Sequence, residues 1–528
     1  MTRHNFSVKI QGIVFSLFLG CAALAAPEQV FNRGNGGEPK DLDPQVVTGV
    51  PEFHIVENLF EALVAKDPKT LAPIPGVAES WQVSKDQKTY TFKLRKNAKW
   101  TNGETVTAKD FIYSWTRLLD AKTGSEYAGQ GFYIKNGKAF NEGKIKDASQ
   151  LGLKAVDDFT LQVTLENPTP FFLSLLYHHS LYPVHKATVE KFGAKWTRPE
   201  NFVSNGPFQL KKWEMNKVIS VDKSPTYWDA DKVKLKTVNF FPIDNHNTEE
   251  KMFRAKQLHV TDEPPQEKME FWKKDKSGVF HSHPWLGSYF YWFNMTKKPM
   301  DNKLVRKAIA LAIDREKIVT YVTRGGQMPG QMFTPPGTGG FKPKAVLPKD
   351  LSRLQEAKDL LAKAGYPGGK GLPPIEILYN TSESHKKIAE AIQQMLKQNL
   401  GIQVTLFNQE WKVYLDTLQS KNYTLGRQGW IADYNDPNTF LDLLVSDNPN
   451  NKGGYNNKAY DALIAAAGKE TNTEKRLGLF QQAEDLIMED FPVLPIYIYT
   501  RVYLLATNVG GWDDNIEDIH PFKYVYLK

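Results

Sequence analysis

A single cysteine, Cys21, serves all 528 residues, and it falls inside a segment that reads as an export signal. Arg3 and Lys9 supply a basic start, Ile13 to Leu19 a short apolar run, and Ala23-Leu24-Ala25 a small-x-small cleavage site. The run is too short to span a bilayer comfortably. Cleavage is expected after Ala25. Gly20-Cys21 offers a lipoprotein alternative, which Phe18 and Leu19 fit poorly. The mature chain then has no cysteine, which excludes disulfides, catalytic thiols and Cys-ligated metals. An exported chain of this kind must be held by its own apolar core, and its length permits a large one.

At roughly 150 residues per domain, two to four domains are expected. With 41% hydrophobic and 24% charged residues the composition is that of a globular protein. The 12 Trp and 22 Tyr suit either a ligand-lined cleft or a large core. Loss of Arg3 and Lys9 lowers the formal charge from +8 to +6, spread in short Lys pairs among acids. Solvated faces account for that pattern, and no nucleic-acid motif is present.

Tyr90-Thr-Phe92-Lys-Leu94 and Leu161-Gln-Val163-Thr-Leu165 alternate at period two and predict strands. Between them, Thr107-Ala-Lys-Asp110-Phe111 reads as a capped helix start. The second half has an α/β texture. Helices are predicted over Leu304 to Val322, Leu354 to Ala364 and Glu383 to Leu400, with strands at Pro374 to Tyr379 and Ile402 to Leu406. The last three elements make a βαβ unit with a parallel strand pair.

The segment Trp430-Ile-Ala-Asp433-Tyr-Asn-Asp-Pro437 sets a carboxylate among apolar and aromatic residues, with no Lys or Arg between Gly429 and Val445. Burying such a group is costly unless a cation meets it, and a ligand's α-amine is one source. The plainer reading is an Asp capping a turn before Asn-Asp-Pro. Arg427-Gln-Gly429-Trp430-Ile-Ala-Asp433-Tyr-Asn-Asp-Pro437 resembles the ligand-site segment of periplasmic oligopeptide-binding proteins, the extracytoplasmic receptors of peptide ABC importers. Gly76-Val-Ala-Glu-Ser-Trp81, Lys99-Trp100 to Phe111 and Asn205-Gly-Pro-Phe208 resemble further signatures of that peptide/nickel class.

The resemblance implies a mixed α/β, three-domain clamp: a signal peptide over 1–25, a discontinuous first domain (26–60, 186–286 and 501–528), an inserted second (61–185) and a third (287–500). A hinge would let two lobes close over the ligand. It also implies that Asp433 holds a peptide's ammonium and that Val50, Gly429 and Ile431 offer backbone to the peptide main chain as an added strand. Arg427 and His385 are candidates for the carboxylate end, and Trp411, Trp430, Tyr127 and Tyr499 for pocket aromatics. For these last six, packing roles remain the alternative.

Thr48, Leu418, Trp292 and Asp262-Glu263 depart from familiar members, where an acid, a base, a glutamate and an aromatic-polar pair stand. The expectation is a narrower pocket at Trp292 and a weaker taste for basic side chains. No phosphate loop is present, so the ATPase and the membrane permease are expected on separate partners of a monomeric receptor. Neither a Gly-x-Ser-x-Gly elbow nor a His-Glu-x-x-His helix supports a hydrolase. His178-His179 and His281-Ser-His283 bring no carboxylate at ligand spacing, so no metal or cofactor is expected. A receptor for murein tripeptide or haem, a hydrolase and a periplasmic chaperone stay open beside the peptide receptor.

Overall fold

The alternation at Tyr90 and Phe92 becomes a strand, Thr89–Leu94, whose Tyr90, Phe92 and Leu94 are buried. It pairs antiparallel with Thr160–Thr164, Phe92 opposite Leu161, within a four-stranded antiparallel sheet completed by Ala78–Val83 and Leu153–Asp157. Thr107 caps the helix Ala108–Leu119, its N–H donating to the Asp110 carboxylate at 2.7 Å. The structure, a computed structural model, describes residues 1–2 and 28–528. The expected signal segment and Cys21 lie outside the described residues.

Two further sheets organise the rest. One has four strands in the order Val30–Gly34, Thr237–Phe241, Val218–Lys223, Phe208–Glu214, the first pair parallel. The other has six, in the order Met328–Pro329, Val493–Leu504, Phe280–Phe293, Leu425–Ile431, Ile375–Asn380, Val404–Gln409. Its last two strands are parallel and joined by the helix Glu383–Leu400, so the βαβ unit is as read, with the second strand two residues further on.

The single helix expected over Leu304 to Val322 is instead broken. Lys303–Leu311 ends, Asp314 caps a new turn at Arg315–Lys317, and a π-helical turn, Ile318–Thr323, follows. The buried Arg315 guanidinium takes the carbonyls of Ala310 and Ile313, which replaces the continuing ladder.

Three main clusters of buried apolar side chains form. The first draws on Phe31, Ile55, Phe208, Val238 and Phe522, and the largest on residues between Leu286 and Tyr497 together with Tyr127. The remaining one runs from Leu63 to Leu181 and takes in one distant residue, Tyr434. The strand Leu425–Ile431 sits inside the six-stranded sheet and ends just short of Asp433. No helix of the described residues is long and apolar enough to cross a membrane.

Candidate functional site

The strand Leu425–Ile431 is paired along its whole length on one side only. Against Phe280–Phe293 the register runs from Gly287–Ile431 to Phe293–Leu425, whereas Ile375–Asn380 meets it only at Leu425 and Gly426. The Ala432 N–H donates to Leu286 C=O at 2.8 Å. In an antiparallel ladder that bond puts the even-numbered residues in hydrogen-bonded pairs, so Gly429 and Ile431 turn their N–H and C=O to the other edge. That edge opens into a cavity of about 330 Å³.

All ten residues singled out by sequence line this cavity: Val50, Tyr127, His385, Trp411, Arg427, Gly429, Trp430, Ile431, Asp433 and Tyr499. They come from elements far apart in the chain. Val50 opens the helix Val50–Leu59, which lacks a side-chain cap and has Pro51, with no N–H, as its second residue. Trp411 opens the helix Trp411–Gln419, stacks on Tyr414 at 5.6 Å and donates its indole N–H to Glu52 at 3.1 Å. Ile431 closes its strand against Gly287, where a Cβ would come within 2.5 Å of its Cδ1.

Arg427 is a buried cation without a carboxylate. Its Nη2 donates to the Tyr499 hydroxyl at 2.9 Å and its Nη1 to Asn380 Oδ1 at 3.2 Å, and the guanidinium lies 4.6 Å from the Tyr289 ring centre. Its Nε is buried without a hydrogen-bond partner, and among the described residues it forms no ion pair. Burial pushes the Tyr499 hydroxyl up to about 12, so it stays neutral and donates or accepts as a phenol. His385 lies in the first turn of the helix Glu383–Leu400, with Tyr289 OH 3.4 Å from its Nδ1. Burial first, then Arg427, drives its pKa well below the usual value, so it is a neutral imidazole.

Asp433 is the opposite case. Its side chain is 10% exposed, and its partners are Gln130 Nε2 at 3.2 Å, Thr439 Oγ1 at 3.4 Å and His178 Nε2 at 3.4 Å, with no Lys or Arg. Ser180 N–H donates to His178 Nδ1 at 3.3 Å, which places the ring proton on Nε2, facing Asp433. Tyr127 packs 4.3 Å from the His178 ring and 6.1 Å from Trp430. Lys66 pairs with Glu517 at 2.5 Å and reaches only the Asp433 carbonyl, at 3.4 Å.

One sequence expectation needs correcting here. Trp292 does not line the cavity; it is fully buried in the largest core, edge-on to Phe290 at 5.2 Å and close against Gly453. A Trp at a strand position facing a well-packed layer is taken up by that layer, so it narrows no pocket. The two histidine clusters do meet carboxylates, His178 at Asp433 and His281 and His283 at Asp514, since topology brings together what spacing does not. Gln130 and Thr439 escaped notice because nothing local marks them, and His178 shows in the sequence only as half of a histidine pair. Among the described residues no group of His and acids is arranged to hold a metal.

Comparison with known proteins follows the same lines. The family model of bacterial extracellular solute-binding proteins, family 5 Middle, matches residues 72–452. The periplasmic oligopeptide-binding protein OppA of Salmonella typhimurium is 40% identical, covering 98% of this chain and 96% of its own. Among solved structures, the murein tripeptide-binding protein MppA of Escherichia coli superposes with a TM-score of 0.92 at 39% identity, over 95% of this chain and 99% of that one. The unliganded open form of MppA gives only 0.64, at the same identity and with 95% and 98% covered. Haemophilus influenzae OppA in complex with RPPGFSPFR gives 0.91 at 36% identity, with 95% and 99% covered.

Proposed function

The chain belongs to the bacterial extracellular solute-binding proteins of family 5, and on that footing we propose that it captures short peptides outside the cytoplasm and hands them to an ABC permease. One observation carries this reading. The cavity sets a cation with no anion, Arg427, and an anion with no Lys or Arg, Asp433, on either side of an open strand edge. A peptide supplies the missing partner at each end and a backbone for the edge between. Its ammonium meets Asp433, its carboxylate meets Arg427 and the neutral His385, and its main chain pairs with Gly429 and Ile431 as an added strand. Recognition of termini and backbone reads no side chain, which suits a receptor for many sequences.

The fold supplies the means of closure. Residues 26–60, 186–286 and 501–528 act as one lobe with 61–185 inserted beside it, and 287–500 forms the other. The much higher score against MppA than against its open form supports reading the present arrangement as closed. The receptor acts in the periplasm as a monomer, freed of its leader by cleavage after Ala25, and its permease and ATPase are separate chains. Membership of a solute-binding family sets the hydrolase reading aside. The likeness to MppA favours murein tripeptide as the second reading.

Mass spectrometry of material released from the purified protein by gentle denaturation tests this. A mixture of short peptides is expected, and a single uniform mass would support the specialised receptor. Neither, together with no calorimetric response to any tripeptide, contradicts the proposal.

A further inference from the structure

The part of the cavity wall that holds Glu263 and Gln266 carries polar groups that the capture of termini leaves idle. Gln266 is 4% exposed and lines the cavity, yet neither its amide oxygen nor its amide nitrogen has a hydrogen-bond partner. Leaving both atoms of a buried amide unpaired is unfavourable unless something entering the cavity meets them.

Glu263, three residues earlier, lines the same cavity. Its carboxylate accepts from the Ser384 hydroxyl at 3.3 Å, and His246 Nδ1 comes no nearer than 3.9 Å. The nearby cations are committed elsewhere: Arg501 to Asp518 at 2.6 Å and to Asp262 at 3.4 Å, and Arg33 to His54 at 2.8 Å. Burial raises the pKa of two further acids of this cluster, Glu57 to about 8 and Glu249 well above the usual range. Of the acids around Arg501, Asp518 and Asp262 have its guanidinium within 3.4 Å, whereas Glu263, on the cavity face, has no Lys or Arg in ion-pair reach among the described residues. Burial also raises the pKa of Glu263, as an uncompensated carboxylate should show.

Resting on the peptide reading above, we propose that Glu263 and Gln266 form a side-chain niche in the cavity wall that takes a cationic residue of the bound peptide, lysine or arginine. The ammonium or guanidinium supplies the charge that Glu263 lacks and donates to the Gln266 carbonyl. An apolar side chain seated there leaves Glu263 without a cation and the Gln266 carbonyl without a donor, and an acidic one meets Asp262 and Glu263 as like charges. The acid expected at position 48 is absent, as Thr48 shows, and this structure puts one on a different wall.

The test is calorimetry with four-residue alanine peptides carrying lysine, norleucine or glutamate at each internal position in turn. The expected result is one position at which lysine binds at least about 10-fold tighter than norleucine, with glutamate weakest of the three. In Glu263→Gln the lysine-to-norleucine ratio at that position falls below about 3-fold. Lysine and norleucine peptides within about 3-fold of each other at every position, or a preference intact in Glu263→Gln, would overturn the niche while leaving peptide capture standing. Failure of every peptide to bind the wild-type protein would overturn the peptide reading, and the niche with it.

Discussion

Tyr434 stacks on Phe171 with ring centres 4.8 Å apart and planes 4° from parallel. The contact joins the residue next to Asp433 to the core formed by residues 63–181, and Tyr434 is 1% exposed there. Asn438 donates to its hydroxyl at 3.0 Å, and the Arg476 guanidinium, bound to Asp436 at 2.6 and 2.9 Å, lies 5.4 Å from the Phe171 ring. The carboxylate proposed to hold a ligand is therefore positioned by an aromatic seated in the core of residues 63–181.

From this seating, Tyr434→Ala should weaken tripeptide binding by more than 10-fold and destabilise the fold by about 3–5 kcal/mol. Tyr434→Phe keeps the stacked ring, and Asn438 retains Tyr133 as a partner at 2.8 Å, so it should bind within about 3-fold of wild type. Calorimetry and thermal unfolding of the two variants separate ring from hydroxyl.

A Cβ at Gly429 would sit 2.5 Å from the Tyr499 hydroxyl and 3.4 Å from Arg427 Nη2. Gly429→Ala must displace Tyr499 from Arg427, and the open edge beside it then carries a methyl group. Loss of tripeptide affinity by about 10-fold or more is expected. Calorimetry that finds Gly429→Ala equal to wild type would show that this edge does not meet the ligand.

Burial holds several acids up: Glu57 to about 8, Glu484 to about 7 and Asp442 to about 6. Between its unfolded and folded pKa each binds more protons folded than unfolded, so its stabilisation is complete below the unfolded value and lost as pH rises through the folded one. Others are held down. Asp514, near about 2, keeps its charge through His281 and Tyr503 against the burial that opposes it, and its contribution is lost in acid. The raised acids alone give a decline toward pH 8, and the buried imidazoles of His54, His179 and His385, held well below the usual value by burial, oppose it by losing stability as pH falls below about 6.5. Glu484→Gln should flatten that decline, removing up to roughly 3 kcal/mol of pH dependence between pH 4.5 and 7. Unfolding midpoints across pH check both statements.

Short-range features were legible. The alternation at Tyr90 and Phe92, the Thr107 cap and the βαβ unit from Ile375 to Gln409 each follow from a pattern within a few turns of chain. The break at Ala312–Asp314 was not, because apolar spacing continues through it and only Arg315, seated on carbonyls from Ala310 to Pro495, ends the helix. At the site, Asp433 stands out by the lack of Lys or Arg between Gly429 and Val445, and Arg427 by the resemblance of the segment that holds it. Gln130 and His178, more than 250 residues away, reach Asp433 only through tertiary packing. Trp292 misled for a related reason: its position along a strand says which residues flank it, not which layer covers it.

The central claim is that Asp433, lacking any Lys or Arg, awaits a ligand's free ammonium. Titrating trialanine and N-acetyl-trialanine into wild type and Asp433→Asn by calorimetry tests it most directly. The account predicts that wild type binds the free peptide at least about 30-fold tighter than the acetylated one, and that Asp433→Asn loses most of that difference. Equal affinity of wild type for the two peptides, or an Asp433→Asn isotherm like that of wild type, would contradict it.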